Sequence, residues 1–180
     1  MADAPQPTTQ ANGIVGRQVW LALAAVLSVA LLIRTGIRDR GVITDHLEFG
    51  RRLLAGEFLY GPFAGEPALH PPYPPTFGLL TAPFSWLGER LARFAWGGLQ
   101  IGALWTLGVL RWRWLHRVAP HLRRRVPWLL AAAFLLTSRY WLRDTHGGGG
   151  NLINMALVLG SCELAWQGRK NLSGFILGAS

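Results

Sequence analysis

Asp45 opens the stretch TDHLEFGRRLLAGEFLYG, Thr44 to Gly61, and HPPYPP, His70 to Pro75, follows shortly after. A carboxylate in such a loop can take a proton from an attacking hydroxyl that lies within hydrogen-bonding reach. Its spacing also has a purely structural meaning. Asp45-His46-Leu47-Glu48 fits a capping box, with Asp45 as N-cap and Glu48 three residues on. Leu47, Leu54 and Phe58 then share one face, and Glu48 pairs with Arg52 on the other. A second group of reactive residues stands in RDTHGGGGN, Arg143 to Asn151. Guanidinium groups hold phosphate through paired hydrogen bonds, so Arg143, with His146, is the local candidate for binding an anion. Gly148, Gly149 and Gly150 read either as a flexible turn or as a nest of backbone N–H groups at a helix start, which favours anions. No Lys-Ser/Thr follows, so this is not a Walker A loop. Asn151 is the expected N-cap in both readings. Asp144 is a rival carboxylate, for which a partner in Arg143 or Arg139 is the simpler account. His46 and His70 beside Asp45 do not make a metal site without convergent geometry, so neither a metal nor another cofactor is expected.

These residues sit between apolar blocks, and the blocks decide the class. Of 180 residues, 51% are hydrophobic, which alone excludes little. Val19 to Ile33, Leu99 to Leu110, Val126 to Thr137 and Leu152 to Leu159 carry no charge. A bilayer core of about 30 Å needs about 20 apolar residues per helix. Each block reaches that length with flanks of Trp, Tyr and Arg, the side chains that anchor or snorkel at an interface. The expectation is an all-α, polytopic transmembrane helical bundle. The net charge of +9 would suggest nucleic acid in a soluble chain, but here the arginines gather at block ends, where they set topology. No nucleic-acid partner is expected. Cys162 is the one cysteine, so no internal disulfide can form. Val19 to Ile33 lacks a following small-residue cleavage site and reads as the first transmembrane helix.

Residues 1–14 read as a disordered cytoplasmic tail and 15–180 as the transmembrane domain. Helix one is expected over Val15 to Gly36, then a long loop, Ile37 to Pro75, carrying the short amphipathic helix. Thr76 to Leu87 reads as an interfacial or re-entrant piece. Helix two is expected over Leu91 to Trp112, a basic connector over Arg111 to Arg125, helix three over Val126 to Trp141, and helix four over Asn151 to Trp166. A last apolar start follows at Leu172. The connector holds six arginines and belongs in the cytoplasm by the positive-inside rule. The long loop and the glycine loop then lie outside. Asn171-Leu172-Ser173, a match to the N-glycosylation pattern, falls on the cytoplasmic side and is rejected. The tryptophans, Trp105, Trp112, Trp114, Trp128, Trp141 and Trp166 among them, are expected as interface anchors.

The order of these pieces resembles the C-type membrane glycosyltransferases, most closely glycosyltransferase family 87, the polyprenol-phosphate-mannose-dependent group. Asp45 matches the acid early in the first outer loop, Gly56 to Tyr60 the turn after it, and Tyr73, Pro74 and Pro75 the Tyr-Pro-Pro before an apolar run. Arg143, Gly148, Asn151, the Gly168 to Lys170 turn and Gly174 to Gly178 match a second set. The resemblance covers about Ile43 to Ser180. The family's Gln is here Gly149, and such enzymes continue through further helices, so the chain is expected to be the N-terminal part of such a module. The resemblance implies transfer of a hexose, mannose first, from a polyprenyl-phosphate donor to a lipid or glycan acceptor hydroxyl outside the cytoplasm. The membrane is expected to be a bacterial inner membrane. Asp45 would be the base, Arg143 and His146 the phosphate ligands, Gly148, Gly149, Gly150 and Asn151 the shape of the donor site, and Tyr73 part of the loop's frame. A phosphate leaves as a stable anion, so no second carboxyl is needed as acid, unlike in glycosidases. Two other classes stay open: a non-catalytic membrane scaffold, and a small transporter or lipid-binding protein. Against the transporter, no charge falls inside the clear apolar blocks.

Overall fold

The computed structural model describes residues 8–37, 42–59, 75–122, 124–178 and 180. Eight α-helices and one 3-10 turn make up these residues, with no strand among them, as an all-α reading requires. They are α1 (Thr8–Ile37), α2 (Val42–Ala55), α3 (Pro75–Ser85), α4 (Glu89–Val118), α5 (Val126–Leu136), α6 (Ser138–Gly147), α7 (Asn151–Trp166) and α8 (Lys170–Gly178), with the 3-10 turn at Pro120–Leu122.

Helix α1 starts seven residues before Val15, so residues 8–14 are helical and not a disordered tail. Extending a helix fixes one residue per hydrogen bond, which outweighs the modest cost of Gly13 and Gly16. Helix α2 likewise starts early. Asp45 therefore lies in its first turn and is not the N-cap. Glu48 reaches forward to Arg51 at 2.8 Å and to Arg52 at 2.9 Å, and not back as a capping box demands. The Glu48–Arg52 pair is the expected one. The buried face is Ile43, His46, Phe49 and Gly50, while Leu54 and Phe58 are exposed. Burial on α2 follows its neighbour. Gly50 presses against α3, where a Cβ would stand 2.7 Å from the backbone nitrogen of Ala82. The piece expected to be interfacial is thus a helix, α3, packed on α2.

Helix α4 runs to Val118, so about half of the basic connector is helical. No Gly or Pro interrupts Arg111 to Ala119, and Pro120 ends the run. Helix three, expected as one piece, is broken at Thr137 into α5 and α6. The Trp141 indole donates to Phe134 O across the break at 3.0 Å, and the two rings stack with centroids 4.3 Å apart. Helix α6 takes up four residues assigned by sequence to the glycine loop. Helix α7 has the expected bounds.

The long helix α4 is central: α1 and α7 pack along it, α3 meets its first half, and α8 folds back on α7. Trp96 of α4 is wholly buried in an aromatic group with His46, Phe77 and Phe84, ring centroids 4.9 to 6.0 Å apart. Among the described residues, no single helix is long and apolar enough to cross a membrane. Leu21–Ile37 with Val42–Ala55 reach that standard only as a pair bent by 66°. Large apolar side chains nonetheless face outward, including Val26, Leu79, Leu91, Leu136 and Phe175.

Candidate functional site

The glycine loop joins four helices. Helix α6 ends because Gly148 takes the left-handed conformation, φ 74°, which side chains other than glycine rarely accept. Gly149 N–H then bonds Asp144 O at 2.8 Å, and Gly148 N–H bonds Thr145 O at 3.4 Å. The loop carbonyls face inward. Gly148 O accepts the Trp96 indole N–H at 2.9 Å, and Gly149 O accepts the Gln100 amide, which also donates to Asp144 O. Such carbonyls would otherwise be buried without partners, so two α4 side chains satisfy what the helix end leaves open.

This arrangement corrects two expectations. Asn151 is not the N-cap of α7. That position is Gly150, and the Asp144 carboxylate serves as the cap, accepting Leu152 N–H at 3.0 Å and the Asn151 amide at 2.8 Å. Asp144 therefore has its partners on α7, and not in Arg143 or Arg139. Of the glycine amides that the nest reading aims at an anion, those of Gly148 and Gly149 are already bonded within the protein.

Arg143 and His146, one turn apart on α6, both line a cleft of about 380 Å³ between α1 and α6. Leu31, Thr35, Leu142 and Arg34 line it with them. In sequence Arg34 is one of the arginines flanking the first apolar block, which read as side chains that snorkel. Its spacing from α6 carries no signal, because the two meet only once α1 and α6 pack. Arg34 Nε donates to His146 Nδ1 at 2.9 Å. A guanidinium only donates, so Nδ1 is the acceptor and Nε2 carries the ring proton. Neither Arg34 nor Arg143 has a carboxylate within ion-pair distance among the described residues.

Asp45 is half-buried on the first turn of α2. Its neighbours tie that turn to the glycine loop. A Cβ on Gly148 would stand 2.8 Å from Ile43 Cβ, and His46 hydrogen-bonds the Gly148 backbone. Burial holds the His46 imidazole down at about 4, against its ordinary 6.5, and the bond to Gly148 offsets part of that. His46 is thus packed into the core. The Arg51 guanidinium, seconded by Arg52, holds the Glu48 carboxyl down at about 2. Tyr73 and His70 lie outside the described residues.

Another charged residue escaped the sequence reading. Glu163 is buried on α7 and accepts both Arg117 guanidinium nitrogens at 2.7 and 2.9 Å, the Trp114 indole at 3.1 Å and the Gln167 amide at 2.8 Å. It stands four residues beyond the charge-free block, where an i, i+4 pairing with Gln167 was the one available sign.

The sequence pattern of glycosyltransferase family 87 matches residues 72–180. The match takes in α3 to α8, and so Arg143, His146 and the glycine loop, while Arg34 and Asp45 precede it. No curated protein and no solved structure matches the chain.

Proposed function

Because the chain belongs to glycosyltransferase family 87, we propose that it transfers a hexose, mannose first, from a polyprenyl-phosphate donor to an acceptor hydroxyl on the outer face of a bacterial inner membrane. One observation supports the donor class above others. Arg34, Arg143 and His146 line one cleft with Leu31 and Leu142, and among the described residues neither guanidinium has a carboxylate within ion-pair distance. An anion with an apolar tail suits both parts: phosphate against the guanidiniums, polyprenyl chain along Leu31, Leu142 and the outward apolar surface.

In this reading Asp45 accepts the proton of the acceptor hydroxyl. The hydroxyl oxygen forms a bond to the sugar's anomeric carbon as the bond from that carbon to the phosphate oxygen breaks. Polyprenyl phosphate leaves with the electron pair, held by Arg34, Arg143 and His146. One displacement from the opposite face inverts the anomeric centre. The glycine loop frames the site: its carbonyls anchor it to Trp96 and Gln100, and it abuts the turn that carries Asp45. The helices form a polytopic bundle, α2 lying along the outer surface, and the outward apolar side chains of α1 and α5 support that placement.

The test is transfer from labelled polyprenyl-phosphate mannose in membranes holding the chain or its Asp45→Asn variant. The expected result is loss of about 10²- to 10⁴-fold in the variant with unchanged donor binding. Equal transfer by both removes Asp45 as the base, and no transfer by either favours a non-catalytic membrane protein.

A further inference from the structure

We propose that the end of the molecule opposite the cleft is a binding surface for anionic phospholipid headgroups. Eight of the eighteen Lys and Arg residues fall in two short segments: Arg111, Arg113, Arg117, Arg123, Arg124 and Arg125 in one, Arg169 and Lys170 in the other. The Arg117–Glu163 pair holds the end of α4 to the end of α7, so the two segments share one end of the fold. Among the described residues Glu163 is the sole acid there. Its oxygens already accept four hydrogen bonds, from Arg117 twice, Trp114 and Gln167, so it has little capacity left for the neighbouring cations. Arg113, Arg124, Arg125, Arg169 and Lys170 have no carboxylate within ion-pair distance among the described residues. Arg169 and Lys170 also edge an open depression of about 330 Å³ at the start of α8.

The surroundings favour lipid over nucleic acid. Trp112, Trp114, Val118, Trp128 and Trp166 are exposed beside the cations, at 38 to 73%. Cations next to exposed indoles and aliphatic groups match the boundary between headgroup and acyl chain. A surface that tracks a nucleic-acid backbone without entering lipid has no use for Val118 or Leu129 in the open.

The inference rests on the membrane placement proposed above and not on the reaction. The full chain is reconstituted into nanodiscs of phosphatidylcholine, with or without a quarter of phosphatidylglycerol. Recovery of protein in pure phosphatidylcholine discs reports membrane placement separately. The expected result is a higher Tm in the phosphatidylglycerol discs, a gain that shrinks as salt rises. Arg113→Gln/Arg124→Gln/Arg125→Gln should lose the gain while keeping its Tm in phosphatidylcholine, and the matching triple Lys variant should retain it. Equal Tm in both discs, a gain untouched by the Gln substitutions, or the same gain from free glycerophosphate would overturn the proposal. So would a single-stranded RNA that displaces the lipid effect at the same residues.

Discussion

Arg34 and His146 lie 112 positions apart in the chain and 2.9 Å apart in space. That contact turns a residue that reads as a membrane anchor into part of the cleft proposed above for the donor, and it sets the tautomer of its partner. Charge-assisted hydrogen bonds are worth about 1.5–3 kcal/mol, so Arg34→Gln and Arg143→Gln should each raise the donor KM by about 10- to 100-fold. Arg34→Lys should recover part of that loss only, because an ammonium lacks the planar fork. The nitrogen NMR signals of His146 should show an Nε2–H ring in the parent chain and a tautomer mixture in Arg34→Gln. An unchanged ring signal would remove the orienting role. His46 carries a different prediction. Between pH 6.5 and about 4 the unfolded chain binds a proton that the folded chain refuses. Stability is therefore full above 6.5 and falls as the pH drops to about 4, by up to roughly 3 kcal/mol. Melting in detergent across this range should show that slope, and His46→Gln should flatten it.

Among the elements, the glycine loop has the least freedom to change. Gly148→Ala forces a side chain into the left-handed region and against Ile43, so it should destabilise the fold by about 1–3 kcal/mol and shift α2. Gly147→Ala, in helical backbone with open space around it, should leave Tm nearly unchanged. Melting of the two variants side by side checks the contrast. The α2–α3 pair makes a parallel case. A Cβ at Gly50 meets the α3 backbone, so Gly50→Ala should loosen both helices, read as faster hydrogen exchange across α2 and α3 with α7 unaffected. Much at this scale was legible in the chain. The bounds of α7, the Glu48–Arg52 pair and a turn at the glycines all follow from local pattern. The capping box at Asp45 did not form, because α2 begins three residues earlier. The buried face of α2 also differs from its hydrophobic spacing, since the approach of α3 at Gly50 decides which side is covered.

For the whole molecule, the two ends are chemically unlike. One gathers the cleft, the glycine loop and the turn of Asp45; the other gathers the basic segments around Glu163. If the bundle spans a membrane as proposed, single cysteines placed at Glu57 and at Arg124 in a Cys162→Ser background should label from opposite sides with an impermeant maleimide. Labelling of both from one side would end the extracytoplasmic assignment of Asp45.

Composition and apolar spacing by themselves determined that the chain is helical and where its apolar blocks lie, because periodic burial is a local property of sequence. The order of its motifs likewise led to the family. Only the packing of α1 on α6 decided that Arg34 belongs with Arg143 and His146, and only the fold of the glycine loop decided that Asp144 caps α7. Both rest on contacts between residues distant in the chain or on a carboxylate choosing among several donors, and no one-dimensional pattern records which partner lies nearest once the helices have packed.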